Sequence, residues 1–347
     1  MTRDAEKTSF PWMTGQVGTP AGEVPVVSTK LTWADHAGSW RVRCGIGRGN
    51  YAVPPGLYAL GSPGAGSPVL VTANYKLTFD RVRRAVDGQN AWLLVLDTKG
   101  INVWCAAGKG TLGTDEVVAR VEAAGLAKVV SHRTIILPQL SASGVAAHMV
   151  KRRCGFQAVF GPVRVEDLPA FLAAGSEATP EMRRVTFPLK DRLILTPLEG
   201  LTVVRHPAFL AVLGLWVLNL SGLKFFYLDG PAIIGTAFVG TVAVPALLPW
   251  IPGRAFAWKG WLVGLAWAVI VCRFRGVPAA LAGGWPAALS YVFLLPAFSA
   301  FLAMNFTGSS TFTSLSGVVR EMKYALPLII VSAALGIAAM AAGLFLK

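Results

Sequence analysis

Residues 68–100 read PVLVTANYKLTFDRVRRAVDGQNAWLLVLDTKG, and they decide how the first half of the chain folds. PVLVT, 68–72, is a short apolar run rich in β-branched residues. LTFDRVRRAVDG follows and reads as a helix, and AWLLVLD, 91–97, is a second buried-strand candidate. Short apolar runs separated by a helical stretch predict a β-α-β unit. Downstream the pattern continues. Thr114 is a helix N-cap, with Asp115 and Glu116 in the first turn, Val117, Val118, Val121 and Ala124 on the apolar face, and Gly125 as the stop. KVVSH, 128–132, reads as a third strand and residues 143–153 as a helix ending before Gly155. QAVFG, 157–161, reads as a fourth strand, and VEDLPAFLAAG as another helix. Such alternation predicts a mostly parallel sheet covered on both faces.

The unusual residues fall just after these strands: TANYK (72–76), TKGINVWCAAGKGT (98–111), SHRTIILPQLSASG (131–144) and GPVR (161–164). In an open α/β sheet such loops converge at the carboxyl ends of the strands, where ligands bind. Four of them suffice to cover a large, flat cofactor; otherwise they are ordinary turns with caps.

The second half is different in kind. The chain has 347 residues, is 54% hydrophobic and 14% charged, and carries a formal net charge of +14. Soluble domains carry about 25% charged residues. Residues 1–205 hold 24 of the 32 Lys+Arg and 16 of the 18 Asp+Glu, which leaves two acids, Asp229 and Glu321, in the rest. Much of the positive balance therefore comes from missing acids in an apolar half, and no basic stripe suited to nucleic acid is present. Five stretches are long enough to cross a membrane: 207–227, 229–251, 255–274, 283–305 and 325–346. Trp250, Trp258 and Trp261 lie near their ends, where indole rings prefer the interface. Arg183, Arg184, Lys190, Arg192 and Arg205 precede the first span and predict a cytoplasmic N-terminal domain. Arg273 and Arg275 would then fall on the outer side, against the rule. The expected organisation is a domain over 1–182, a basic linker over 183–206 and an all-α transmembrane domain of five helices over 207–347. The N-terminus lacks the apolar core of a signal peptide, so the first domain is expected in the cytoplasm with reduced thiols.

There are four cysteines, Cys44, Cys105, Cys154 and Cys272, with no CxxC pair. Their spacing suits neither zinc nor an iron–sulfur cluster. Cys105 stands apart, flanked by Trp104 and by Gly100, Gly108 and Gly110. A short helix through AAGK would set it near a positive helix end, with Lys109 nearby. The residues alone leave Cys105 as core filler or as a soft metal ligand. A thiol hydrolase is a weaker reading, because His132 and His148 have no evident acidic partner.

NVWCAAGK followed by GTLGTDE resembles the cap-helix motif of the HgcA family, the membrane-anchored corrinoid proteins of bacterial and archaeal mercury methylation. VTANYKLTFDRVR, VLDTKGINVWCAAGKGT, VSHRTIILPQLSASGVAAH and FGPVR also resemble the corrinoid domain of the acetyl-CoA-pathway corrinoid iron–sulfur proteins. LPQLSASG departs from the family's LPQLGAPG at Ser141 and Ser143. The resemblance implies a Rossmann-like corrinoid-binding domain on a membrane anchor, with a cobalamin-type cofactor. It implies Cys105 as the lower axial ligand of cobalt, and Asn102, Val103, Trp104, Ala106, Ala107, Gly108 and Lys109 as the rest of the cap. Thr72, His132, Pro138, Gln139 and Gly161 are further candidates for lining the cofactor. The D-x-H-x-x-G signature of modules that ligate cobalt through histidine is absent, which agrees with a thiolate ligand.

The implied activity is corrinoid-dependent methyl transfer, from methyl-Co(III) to inorganic Hg(II), giving methylmercury. The implied partners are a methylated pterin donor system and an HgcB-like ferredoxin with two [4Fe–4S] clusters, which supplies electrons and is a possible source of Hg(II). Two other readings stay open: a corrinoid methyl carrier for another acceptor, and a membrane binding or transport protein without chemistry of its own.

Overall fold

A computed structural model describes residues 10–221, 229–275, 281–307 and 315–345. The chain divides into two compact units, one of residues 1–42 and 46–185, the other of Arg43–Gly45 with Thr186–Lys347.

The first unit is built on a seven-stranded mixed sheet. Its strands are β1 (Met13–Thr19), β2 (Gly22–Val27), β3 (Gly56–Leu60), β4 (Val69–Ala73), β5 (Ala91–Leu96), β6 (Thr134–Leu137) and β7 (Gln157–Phe160), in the order β1-β2-β3-β5-β4-β6-β7. β5, β4, β6 and β7 are mutually parallel. β3 runs antiparallel to β5, and the β1–β2 hairpin joins at β3. The helices are α1 (Trp33–Arg43), α2 (Lys76–Ala85), α3 (Val103–Lys109), α4 (Thr114–Ala123), α5 (Leu126–Val129), α6 (Ala147–Cys154) and α7 (Leu168–Ala173).

Strand side chains alternate between two cores, as a period of two requires. Val69, Val71, Ala73, Leu94, Leu96, Ile135 and Leu137 pack with Val103, Ala106, Val117, Val121 and Val150 on one face. Leu70, Leu93, Val95 and Ile136 pack with Phe79, Leu168 and Phe171 on the other. From β4 the chain steps to β5 on one side and then returns to β6 on the other. The carboxyl end of β4 is therefore the topological switch point, flanked by the loops after β5 and β6.

The parallel block follows the sequence pattern, with corrections. KVVSH is not a strand: Gly125, at φ +56°, starts the short α5, and the strand comes later, at Thr134–Leu137. The 128–130 run is apolar because Val129 and Val130 fill the core from a helix end. Gly113 occupies the cap position of α4, while Thr114 Oγ1 accepts from the Ala146 amide at 2.9 Å, just ahead of α6.

The second unit is helical: α8 (Leu189–Leu193), α9 (Thr196–Arg205), α10 (Pro207–Leu220), α11 (Gly230–Phe238), α12 (Val244–Leu247), α13 (Phe256–Phe274), α14 (Leu281–Phe306) and α15 (Leu315–Phe345). The stretch 183–206, read as a linker, thus contributes α8 and α9. Among the described residues, four helical segments are long and apolar enough to cross a membrane: Gly230–Leu247, Phe256–Phe274, Trp285–Phe306 and Ser316–Gly343. The described part of the predicted first span, 207–227, is α10, whose 14 residues rise about 21 Å against a hydrocarbon core of about 30 Å. Residues 222–228 lie outside the described residues. A fifth span results only if Leu189–Arg205 and Pro207–Leu220, bent by 63°, count as one. Pro207 explains the bend, because it has no amide proton for the helix ladder.

Small residues bring these helices together. A Cβ on Gly260 would lie 2.6 Å from that of Ala303, and one on Gly264 2.8 Å from the Pro296 Cα. The G-x-x-x-G spacing lets the α13 and α14 backbones nearly touch. A π-helical segment, Val239–Ala243, joins α11 to α12, and Gly240 there faces Leu302 and the Ser299 carbonyl.

One end of this unit is strongly basic. Pro249 has no amide to give the Pro245 carbonyl, and Arg192 Nη1 donates to it instead at 3.0 Å, and to Ala246 O at 2.6 Å. Lys259 Nζ donates to Leu248 O, and Glu321 accepts from the Ala257 amide at 2.7 Å. These contacts place Arg192, Lys259 and the start of α15, with Arg320 and Lys323, at the same end. At the other end Asp229 caps α11 and holds Arg275 through two contacts of 2.6 Å.

Candidate functional site

The loop after β5 and the helix it enters form the most elaborated part of the first unit. Asn74, the residue after β4, is buried, and its Oδ1 accepts from the amides of Thr98 (3.1 Å) and Gly100 (2.9 Å). Thr98 Oγ1 lies 2.8 Å from the same oxygen and 2.7 Å from Ile101 O. Asn74 Nδ2 reaches Asp97 Oδ1 at 3.4 Å. Lys99 and Gly100 are both left-handed, at φ +58° and +69°, and Lys99 is one of two non-glycine residues with positive φ among the described residues. A hydrogen bond from the Lys99 ammonium holds the Asp97 carboxyl below its usual range.

The turn leads straight into α3. Asn102 caps it, its Oδ1 accepting from the Cys105 amide at 2.9 Å. Gly110, at φ +78°, ends it, as a left-handed C-terminal residue does. Val103, Ala106 and Ala107 are buried, an i, i+3, i+4 stripe that seats the helix on the sheet. Trp104 and Cys105 are half-buried, and Gly108 and Lys109 are exposed. Cys105 and Lys109, four residues apart, share the outward face.

The loop after β6 meets α3 from the side. Pro138 and Gln139 lie there, and the turn Gln139–Ser141 packs on α3. Ser141 Oγ donates to Pro138 O at 2.7 Å, so the serine found where the family pattern has glycine closes this turn through its own hydroxyl. Gly144 sits where a Cβ would lie 2.4 Å from Leu112 O and 3.1 Å from the Ala107 Cα. Gln139 Oε1 accepts from Arg183. Gly161 follows β7 and donates its amide to Leu137 O at 2.8 Å.

The structure therefore gathers Asn102–Lys109, Pro138, Gln139 and Gly161 at the carboxyl ends of the parallel strands. Thr72 is near the same end of β4 but faces the α2 and α7 side. It is fully buried, and its hydroxyl has no hydrogen-bond partner. His132 is elsewhere, before the amino end of β6. Its Nδ1 accepts from the Thr134 amide, so Nε2 carries the proton and donates to Ser67 O at 2.9 Å. Asn74 and Thr98 were not singled out in the sequence, because their partners are 24 or more residues apart. The polar run TAN directly after an apolar strand was the available signal.

The cysteines stay apart in kind as well as in sequence. Cys154 Sγ bonds the Val150 carbonyl within α6, and Cys272 lies in α13. Among the described residues no three His, Cys, Asp or Glu side chains converge in a metal-binding group.

Residues 47–171 match the family model of the CO dehydrogenase/acetyl-CoA synthase delta subunit. The chain is 44% identical over 94 residues to the gamma subunit of the acetyl-CoA decarbonylase/synthase complex of Methanocaldococcus jannaschii, covering 26% of this chain and 19% of that protein. It is 36% identical over 127 residues to the gamma 2 subunit of Methanosarcina thermophila, covering 35% and 26%. The chain from Methanopyrus kandleri is 33% identical over 122 residues. The match thus spans only about a fifth to a quarter of these relatives' length. The region matched by the family model contains α3, Cys105 and the loops after β4, β5, β6 and β7. The helical unit from Thr186 onward lies outside it.

Proposed function

We propose that the first unit is a corrinoid-binding methyl-carrier domain, and that the chain is a membrane-anchored methyltransferase that delivers the methyl group to inorganic Hg(II). The observation that carries this reading is Cys105: a half-buried thiol in the first turn of a helix held at the carboxyl ends of parallel strands, inside the stretch similar to the acetyl-CoA decarbonylase/synthase subunits.

The residues fit such a cofactor. A corrinoid carries its metal already bound by its own ring, so the protein would need to add a single donor, and Cys105 offers one outward thiol. Thr72, fully buried on the α2 and α7 side of the sheet, is on the face away from α3 and is left out of this site. When bound, the group supplies the cobalt that carries the methyl. Cys105 would hold it in this reading. Asn102 holds the Cys105 amide, Gly108 leaves the outward face of α3 open to a flat ring, and the loop with Pro138 and Gln139 packs beside α3, while Gly161 follows β7 at the same edge of the sheet. Thiolate is a strong, soft donor, and Cys105 would make the bound metal more electron-rich, which would favour transfer to a soft acceptor such as Hg(II). His132 is not part of this site; its bonds to Ser67 and Thr134 are structural.

The chain's four scattered cysteines do not provide for re-reduction. Electrons are therefore assigned to a ferredoxin partner of the HgcB type with two [4Fe–4S] clusters, also a source of Hg(II), and methyl groups to a methylated pterin system. Lys190, Arg192, Arg254, Lys259, Arg320 and Lys323 favour the cytoplasm for the end of the helical unit they occupy, and the first unit is assigned to that side. Arg275, which broke the rule in the sequence, is paired with Asp229.

The test is the full chain in detergent, loaded with hydroxocobalamin, beside Cys105→Ala. The wild type is expected to be coloured and to make labelled methylmercury from a labelled methyl-pterin donor system and Hg(II), with loss of at least a hundredfold in the variant. A colourless wild type overturns the corrinoid reading. A variant with full output overturns the ligand role. The similarity to acetyl-CoA decarbonylase/synthase subunits favours a second reading, a methyl carrier for another acceptor. That reading holds if the protein is coloured and takes methyl but leaves Hg(II) unmethylated.

A further inference from the structure

We propose that Asn74 is a positioning residue for Cys105, acting through the left-handed turn Asp97–Gly100. Its link to cobalt rests on the reading of Cys105 given above; its link to Cys105 does not. Asn74 is fixed at the end of β4, where its carbonyl accepts from the Val53 amide at 2.8 Å. Its side chain bridges to the neighbouring strand's loop and grips both sides of Lys99. One oxygen takes the amides of Thr98 and Gly100, and the nitrogen reaches Asp97.

That grip holds a conformation the sequence does not favour. Lys99 carries a Cβ in the left-handed region, where sterics oppose it, and such residues persist only where the surroundings over-determine them. Asp97 assists by accepting from the Lys99 amide at 3.1 Å. From the turn, covalent and hydrogen-bonded links run without a gap to the thiol. Thr98 Oγ1 reaches Ile101 O, Asn102 is next in the chain, and Asn102 Oδ1 holds the Cys105 amide. Buried apolar contacts and the Gly144 loop seat α3 on the sheet from Ala106 onward. The Asn74 turn fixes where the helix begins, and so where Cys105 stands relative to the strand ends.

The test uses the full chain in detergent without cofactor, and reads hydrogen exchange over 98–105 and the rate of Cys105 alkylation by iodoacetamide. Asn74→Ala is expected to speed exchange over 98–105 at least tenfold and to change the alkylation rate severalfold, with 91–96 and 134–137 unchanged. Asn74→Ala combined with Lys99→Gly removes the Cβ that opposes the left-handed turn and is expected to recover at least threefold of the lost protection over 98–105 and to bring the alkylation rate back toward wild type. Unchanged exchange over 98–105 in Asn74→Ala overturns the proposal. If that variant loosens everywhere, the combination with Lys99→Gly decides: recovery confined to 98–105 supports the proposal and no recovery overturns it. Loading with hydroxocobalamin then separates the two readings. Asn74→Ala is expected to shift the visible spectrum toward that of Cys105→Ala. If wild-type protein binds no corrinoid while the exchange defect stands, the cofactor reading fails and the positioning role remains.

Discussion

Asp35 shows how a single charged residue is held inside the first unit. Burial alone would raise its pKa, but hydrogen bonds from Lys76 and the Thr32 amide, with the Lys76 charge and Arg83, outweigh that and hold it well below the usual carboxylate range. Lys76 Nζ lies 2.6 Å from Asp35 and 2.7 Å from Asp80, and the fully buried Arg83 reaches both. Arg83 also donates to Ser28 O at 2.5 Å, so the quartet ties the segment between β2 and α1 to α2. Tyr51, over which Lys76 sits, is pushed up to about 12, chiefly by burial and then by the charges of Asp80 and Asp35. A carboxylate with a depressed folded-state pKa contributes stability above its unfolded pKa, near 3.9, and loses it as pH falls through the folded value. Asp35→Asn is therefore expected to lower stability at pH 7 by about 3 kcal/mol, the cost of leaving buried cations short of a partner. Its melting temperature should fall less steeply than wild type between pH 5 and pH 2. Parallel acid melting curves would show that Asp35 is not the responsible group. None of this was legible in the sequence, because Asp35 and Lys76 lie 41 residues apart and look like ordinary surface charges. The place of Cys105 near the start of a short helix was legible, because the signals are local: small residues and a terminal glycine within a few positions.

At the scale of the element, two glycines at α3 have opposite meanings, one within it and one in the loop packed against it. A Cβ on Gly144, in the neighbouring loop, would strike the backbone of Leu112 and Ala107, whereas one on Gly108, within α3, meets nothing within 4 Å. Gly108 also has ordinary helical backbone, so alanine there should stabilise the helix by about 0.5–1 kcal/mol. An exposed glycine that the fold does not need is the residue a flat ligand would approach. The expected outcome is that Gly108→Ala raises the melting temperature of the cofactor-free protein and weakens hydroxocobalamin binding severalfold or more. Gly144→Ala should destabilise by about 1–3 kcal/mol through overpacking and disturb both. Unaltered binding in Gly108→Ala would remove the outward face of α3 from the site. Elements with one strong local pattern were read correctly, as in α2, β4, β5 and β7. The third strand was misplaced because KVV is apolar and β-branched whether it ends a helix or forms a strand. The β1–β2 hairpin escaped notice because MTGQVGT is largely exposed and carries no apolar alternation.

At the scale of the whole molecule, the composition already separated a charged half from an apolar one, and the two units divide at Val185 and Thr186. What composition could not supply was which charges share an end of the helical unit. That depends on backbone groups: the Pro245 carbonyl that Pro249 leaves free and Arg192 captures, and the α13 amide that Glu321 caps. These contacts collect Lys190, Arg192, Arg254, Lys259, Arg320 and Lys323 at one end, against Arg273 and the Asp229-paired Arg275 at the other. Lys and Arg counts on short flanking segments set orientation, so the first end should face the cytoplasm. Arg254 is exposed between α12 and α13, and Arg273 ends α13 one full span away. Arg254→Cys is accordingly expected to react with a membrane-impermeant maleimide only after cells are opened, and Arg273→Cys to react in intact spheroplasts, with the labelled peptide identified by mass. The same assay places the first unit: sites such as Arg153→Cys, exposed on α6, should follow Arg254→Cys. If Arg254→Cys and Arg153→Cys react in intact cells while Arg273→Cys does not, the orientation is reversed. A cytoplasmic pterin donor and ferredoxin could then not reach α3, and the methyl-transfer reading would fail with the topology.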